Sequence, residues 1–200
     1  IVTMVMLQLW GLRLGVLLHK GETIPPDLAQ TWYLPVLAVF FLIFVLLSLY
    51  GIVKAGDQKV SRFDFSLPTL NVIWAFLLAR SVAEAGKMNV NLLGFVGLLA
   101  VAGFFGIAYW CNRRNVDGAP GTNTFMLAGG TLLAMALPTA TGAYMLTLPM
   151  VSITAVVITI VSRKWENGGI RGTAYLLQIY SGVAVALLLQ GNGPVATAAI

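Results

Sequence analysis

The longest uncharged stretch of the sequence constrains the fold more than any other feature. It runs from Thr124 to Ser162 and contains no Asp, Glu, Lys or Arg. One membrane-spanning helix needs only about 20 apolar residues, so this stretch is too long for an ordinary span. It is interrupted between Leu137 and Gly142, where Pro138 lacks a backbone donor and Gly142 accepts a positive φ. We predict either two short spans that form a tight hairpin or a broken helix that dips into the membrane and returns.

The composition extends this membrane interpretation to the whole chain. The sequence is 58% hydrophobic and only 10% charged, whereas a soluble domain has roughly a quarter of its residues charged. We therefore predict an all-α, polytopic helical membrane protein with a single transmembrane domain over residues 1–200. Both ends of the sequence lie in apolar runs, so we expect a fragment or a processed form of a longer chain.

The apolar runs predict about seven transmembrane helices with short loops. In the second span, Trp32 and Tyr50 stand about 27 Å apart at 1.5 Å per residue, which matches aromatic belts at the two interfaces. The predicted spans are 1–18, 32–53, 67–83, 90–110, two spans or a re-entrant break within 124–162, and 173–190.

The basic residues predict the orientation of these spans. Most of the 12 Lys and Arg residues fall in three alternate loops, 54–66, 111–123 and 163–172. Short cytoplasmic loops are enriched in Lys and Arg, so we expect these three in the cytoplasm and the chain in a bacterial inner membrane. The alternation holds only if the uncharged stretch crosses twice. Because the cations are separated by spans and form no contiguous stripe, nucleic acid is not an expected partner.

Two charged residues near the end of the third span are candidates for an ion or substrate pathway. Arg80 and Glu84 are four residues apart and share a helix face, and a charge at membrane depth often marks such a pathway. Alternatively, Arg80 extends to the interface and pairs with Glu84 there. Gln8 and Arg13 in the first span leave the same two alternatives open.

The interrupted stretch is a further candidate for the pathway. Discontinuous helices expose carbonyl groups and helix ends that can bind ions or substrates. Alternatively, the hydroxyl groups there satisfy backbone groups that the turn leaves free. The candidates are Pro138, Thr139, Thr141 and Tyr144, within a segment that extends to Pro149.

Small and hydroxyl residues at helical spacing predict where helices pack against one another. Such residues let helix backbones approach closely in a membrane. In the last span, Gln178 lies on the same helix stripe as Ser181 and Gly182, and it is a pathway candidate if that stripe instead lines a polar pore. The predicted packing residues are Ala102, Gly106, Gly130, Ala134, Ser181 and Gly182.

The sequence gives little support for catalysis or for a cofactor. His19 and Cys111 are the single histidine and cysteine, which excludes an intrachain disulfide and bis-histidine haem ligation within this chain. The loop holding His19, Glu22 and Asp27 is expected to be solvated rather than metal-binding. We find no HExxH, GxSxG or Walker motif. We therefore predict no enzyme activity, no metal and no cofactor.

Two classes of function follow from these patterns. The first is a non-catalytic integral membrane subunit of a larger assembly of the translocation, secretion or energy-converting type. The alternative is a solute or ion transporter or channel whose site lies at the discontinuous helix from Pro138 to Pro149, near Arg80 and Glu84. The expected partners are the lipid bilayer and other membrane subunits or further copies of the chain.

Overall fold

The chain is helical throughout the part that the structure describes. The computed structural model describes residues 2–20, 30–55, 62–114 and 120–189, and these ranges contain seven helices and no strand. The all-α prediction is confirmed for them. The helices are α1 (Val2–Lys20), α2 (Gln30–Ala55), α3 (Arg62–Ala85), α4 (Val90–Arg114), α5 (Pro120–Thr141), α6 (Tyr144–Lys164) and α7 (Gly168–Leu189).

Five of these helices, α2 to α6, are long and apolar enough to cross a membrane. This supports the prediction of an integral membrane protein. The apolar part of α1, Val5–Leu17, is shorter than such a span, and α7 is not among the five. Helix α7 nevertheless extends over 22 residues.

Several helices extend beyond the apolar runs that predicted them. Helix α4 continues to Arg114, α5 begins at Pro120, and the predicted loop 163–172 is reduced to a short turn at residues 165–167. An apolar run marks the hydrocarbon layer, whereas the hydrogen bonds of a helix continue into the interface. Arg113 and Arg114 lie in the last turn of α4, where a positive charge interacts favourably with the helix dipole.

Helix α5 lies at the centre of the bundle and packs against all the helices from α2 to α7. Of its apolar segment, 78% is buried, compared with 22% for that of α2. Hydropathy follows the opposite order, since α2 is the most apolar of the five spans and α3 and α5 are the least. Lipid is as apolar as leucine, so the bulky apolar side chains face outward and small residues allow close packing inside.

The tightest contact in the bundle joins α4 to α5. The two helices are antiparallel, and the buried residues of α4 recur every three or four positions, as in knobs-into-holes packing. At Gly94 the two backbones touch, because a Cβ built there would overlap Ala140. The buried α4 residues of this seam are Gly94, Gly97, Val101, Phe104, Ala108 and Cys111.

Helix α1 is attached to α2 and α3 by a second apolar cluster and by two polar contacts. The Tyr33 hydroxyl donates to the carbonyl oxygen of Leu7 at 3.2 Å. The indole Nε1 of Trp74 donates to Gln8 Oε1 at 2.9 Å. Gln8, which the sequence grouped with Arg13, therefore holds α1 on α3.

Candidate functional site

The corner between α5 and α6 contains the interrupted stretch of the sequence. Helix α5 continues through Pro138 and ends at Thr141, after which Gly142 has a φ of +64°. The interruption therefore lies a few residues later than the proline. Pro138 cannot donate to the carbonyl of Ala134 four residues earlier, and the Tyr180 hydroxyl of α7 donates to that oxygen at 3.3 Å. This contact replaces the missing helical hydrogen bond, so the proline is accommodated inside α5.

The hydroxyl groups at this corner bind backbone atoms. Thr139 Oγ1 donates to the carbonyl oxygen of Met135 at 2.8 Å, and Thr141 Oγ1 donates to that of Leu137 at 3.0 Å. Thr141 Oγ1 also accepts from the Ala143 amide at 3.3 Å. Thr139 is buried and Thr141 is exposed. For Tyr144 the structure describes the backbone but not the side chain.

Arg80 and Glu84 form an ion pair near the end of α3. Arg80 Nε lies 2.6 Å from Glu84 Oε1, and the two side chains are 36% and 50% exposed. The carboxyl ends of α3 and α5 lie at the same end of the bundle, so this pair and the α5–α6 corner face the same side. An exposed pair of this spacing contributes about 0.3–0.5 kcal/mol to stability.

The predicted packing residues divide into an inner and an outer group. A Cβ on Gly130 would lie 2.9 Å from Thr173 Cγ2, so Gly130 packs closely against α7. The carbonyl oxygen of Ala134 accepts the hydrogen bond from the Tyr180 hydroxyl of the same helix α7. Ser181 is buried, and its hydroxyl donates to Leu177 O at 3.0 Å. By contrast, four of the sequence candidates face outward: Ala102, Gly106, Gln178 and Gly182.

A wholly apolar pocket, which the sequence did not indicate, lies between α2, α3 and α4. We call it the lateral groove. It has a volume of about 350 Å³, and it is lined by residues from the segments 34–41, 72–79 and 93–100 together with Leu132 of α5. A pattern in one helix cannot predict it, because the groove exists only where three helices diverge.

Buried amide groups were also missed by the sequence. Asn71 is fully buried in α3, where its Nδ2 donates to the carbonyl oxygen of Phe41 at 3.0 Å and its Oδ1 has no partner. At the opposite end of the bundle from the α5–α6 corner, the amides of Asn123 and Asn167 both contact Gly169. Asn123 Oδ1 and Asn167 Nδ2, an acceptor and a donor, are each buried without a partner.

Cations and aromatic rings surround that same end. The ring of Tyr109 in α4 lies beside that of Trp165 in the α6–α7 turn, with the centroids 6.0 Å apart. Three basic side chains lie over aromatic rings at this end. Cation–π contacts of this kind fix basic groups at the membrane interface. The cation-to-centroid distances are 5.8 Å for Lys54 over Tyr50, 5.0 Å for Arg113 over Tyr109 and 4.5 Å for Arg114 over Trp110.

Comparison with known proteins gives no family assignment. No family model, no curated protein and no solved structure matches the chain. Within the described ranges, no group of three or more His, Cys, Asp or Glu residues is placed to hold a metal ion. The side chain of His19, and Glu22 and Asp27, lie outside the part that the structure describes.

Proposed function

We propose that this chain is a non-catalytic integral membrane subunit of a larger assembly of the translocation, secretion or energy-converting type. The proposal rests on one observation: the hydroxyl groups of Thr139, Thr141 and Tyr180 donate to backbone carbonyl groups of α5. Thr139 and Thr141 bind carbonyl groups of their own helix, and Tyr180 binds the carbonyl left free by Pro138. These hydroxyl groups are therefore engaged with backbone carbonyl groups, and the Tyr180 contact joins α7 to α5, as expected in a structural bundle.

The distribution of charge supports a layout with about seven spans. The ends of α2, α4 and α6 and the start of α7 carry exposed cations, and they lie at one end of the bundle. We propose that this end faces the cytoplasm of a bacterial-type cell. The described cations there are Lys54, Arg113, Arg114, Arg163, Lys164 and Arg171.

Other membrane helices, or a second copy of the chain, are the proposed partners. The outer face of α4 combines exposed bulky residues such as Leu99, which is 75% exposed, with the small residues Ala102, Gly103 and Gly106. A Cβ on Gly103 or Gly106 would meet nothing within 4 Å. A neighbouring helix could therefore approach this face closely.

Purification of the tagged chain from native membranes in mild detergent tests the proposal. We expect membrane partners, or further copies, in fixed stoichiometry. Gly106→Leu should reduce their recovery without lowering the thermal stability of the chain. Gly15→Leu on α1, where a Cβ also meets nothing within 4 Å, is the matched control. A monodisperse monomer from wild-type membranes would contradict the proposal.

A transporter or channel is the second candidate. It is favoured by the position of the Arg80–Glu84 pair at the same end of the bundle as exposed Thr141 and Gly142. A discontinuous helix of this kind forms ion and substrate sites in transporters. Solute or ion flux through proteoliposomes of the purified chain would favour this candidate over the first.

A further inference from the structure

The lateral groove has a defined length that the three helices share. Each helix lines it over a segment of seven residue steps, 34–41 in α2, 72–79 in α3 and 93–100 in α4. At 1.5 Å per residue, each segment is about 10 Å long. Every lining residue is apolar, and Leu132 of α5 contributes to the lining from the centre of the bundle.

The groove ends about halfway through the bundle. Beside its inner end, the Asn71 amide of α3 binds the carbonyl of Phe41 on α2. Further along α2, Ile52 Cγ2 lies 2.6 Å from the position of a Cβ on Gly121 of α5. From Phe41 to Ile52, helix α2 is thus held against the rest of the bundle. Half of the hydrocarbon core is about 15 Å thick, so the groove lies within one leaflet.

The other end of the groove lies just below an interface. Trp32 is 65% exposed and precedes the first lining residue, Leu34, by two positions, which is about 3 Å along the helix. Exposed tryptophan is typical of the headgroup level. Lys87 is exposed in the α3–α4 turn above the same end. An apolar slot with a cation above it matches the shape of an anionic lipid.

We propose that the lateral groove holds one acyl chain of an anionic glycerophospholipid, whose headgroup phosphate lies near Lys87. A partner transmembrane helix crosses about 30 Å of hydrocarbon and would be held along only about a third of its length. A lipid chain is itself confined to one leaflet, as the groove is. The site does not depend on the proposed subunit function, because it is formed entirely by α2 to α5.

Photolabelling of the purified chain in phosphatidylcholine vesicles tests this site. The vesicles contain a small fraction of a lipid with a diazirine on one acyl chain, either phosphatidylglycerol or phosphatidylcholine, and adducts are mapped by peptide mass spectrometry. We expect adducts to be enriched on lining residues such as Ala38 and Ala79 relative to Leu99 on the outer face of α4. The glycerol lipid should label them about fivefold more than the choline lipid, given the attraction of one lysine near the surface.

Two substitutions in one helix separate a bound lipid from the surrounding bilayer. Ala100→Leu fills the groove, whereas Ala102→Leu adds the same side chain on the exposed face. Ala100→Leu should lower groove adducts about 15-fold, since it displaces about two methylene groups and each contributes roughly a factor of four. Lys87→Asn, which tolerates the φ of 53°, should remove the headgroup preference.

Two results would overturn the proposal. One is equal labelling of the groove and of Leu99, with Ala100→Leu and Ala102→Leu giving the same adducts, which indicates ordinary boundary lipid. The other is loss of groove labelling in native membranes together with full labelling of the purified chain, which indicates that a protein partner occupies the groove. The first result leaves the subunit proposal untouched, and the second would agree with it, because a partner would then fill the groove. Failure of the lipid site is therefore distinguishable from failure of the proposed function, which is shown by a monomer from wild-type membranes.

Discussion

Replacing Gly94 by alanine tests whether the α4–α5 seam holds the bundle together. A Cβ at this position would overlap the backbone nitrogen and Cα of Ala140, and it would lie 2.7 Å from the carbonyl carbon of Thr139. Carbon atoms pack at about 3.5–4.0 Å, so the helices would have to separate by about 1 Å. The obstacle is backbone, which cannot move aside as a flexible side chain would.

The size of the effect is set by a comparison with Gly103 on the same helix, where a Cβ meets nothing within 4 Å. Both alanine substitutions gain the same helix propensity, about 1 kcal/mol. Their difference therefore measures overpacking, which costs about 1–3 kcal/mol. Because the obstacle at Gly94 is backbone, we expect a difference of about 2–3 kcal/mol in unfolding free energy. That corresponds to about 4–12 °C in Tm for a chain of this size.

Cys111 provides the assay. It is the single cysteine of the chain, it is 4% exposed, and it belongs to the α4–α5 seam. A maleimide dye that fluoresces on reaction with the thiol will report unfolding as the temperature rises, without any added label site. Gly94→Ala should react at a clearly lower temperature than Gly103→Ala, with wild type between the two.

Equal melting temperatures for the two variants would refute the reasoning. They would mean that α4 and α5 can separate at no measurable cost, and that the backbone contact at Gly94 does not contribute to stability. Raised Cys111 reactivity at low temperature in both variants would also refute the reasoning, because the α4–α5 seam would then be open in the folded state.

Three further predictions concern other parts of the bundle. Asn71→Leu should change stability by less than about 1 kcal/mol, as single interhelical hydrogen bonds in membranes usually do. Asn71→Asp should lower stability by more, about 2.5–3.5 kcal/mol, because the buried carboxyl must either stay charged or take up a proton; thermal unfolding of both variants measures this. Arg80→Gln and Thr141→Ala should each leave assembly intact and proteoliposome flux at the wild-type level, and a flux that either change abolishes would instead support the transporter. In a cysteine-free background, Gln58→Cys and Val116→Cys should react with an impermeant maleimide from the same side of the membrane; labelling from opposite sides would contradict the proposed orientation.

The helical membrane class was predictable because lipid requires helices to satisfy their own backbone groups. Runs of apolar residues therefore identify α2 to α6 directly. The α4–α5 seam was harder to find, although Gly94, Gly97 and Val101 have the right spacing. In a soluble protein the buried face of a helix is apolar and the exposed face polar, but in a membrane both faces are apolar. Small-residue spacing instead pointed to Ala102 and Gly106, which face outward.

The polar contacts between helices were not predictable from spacing at all. Trp74 with Gln8, and Tyr180 with the carbonyl of Ala134, join residues that are 66 and 46 positions apart. Such pairs depend on how the helices are arranged, which a single sequence does not specify. The Arg80–Glu84 pair, by contrast, lies within one helix, and the i, i+4 rule was sufficient to place its partners on one face.

The opposite order of hydropathy and burial among the helices has a consequence for biogenesis. During synthesis each segment partitions into the bilayer according to its own apolarity, and α5, with its glycines and threonines, would partition weakly by itself. Its close fit to α4, which precedes it and is more apolar, means that the two can enter the lipid as a preformed pair. A ribosome-bound chain that ends just after α5 should therefore integrate it efficiently only when α4 is present and Gly94 and Gly97 are unchanged.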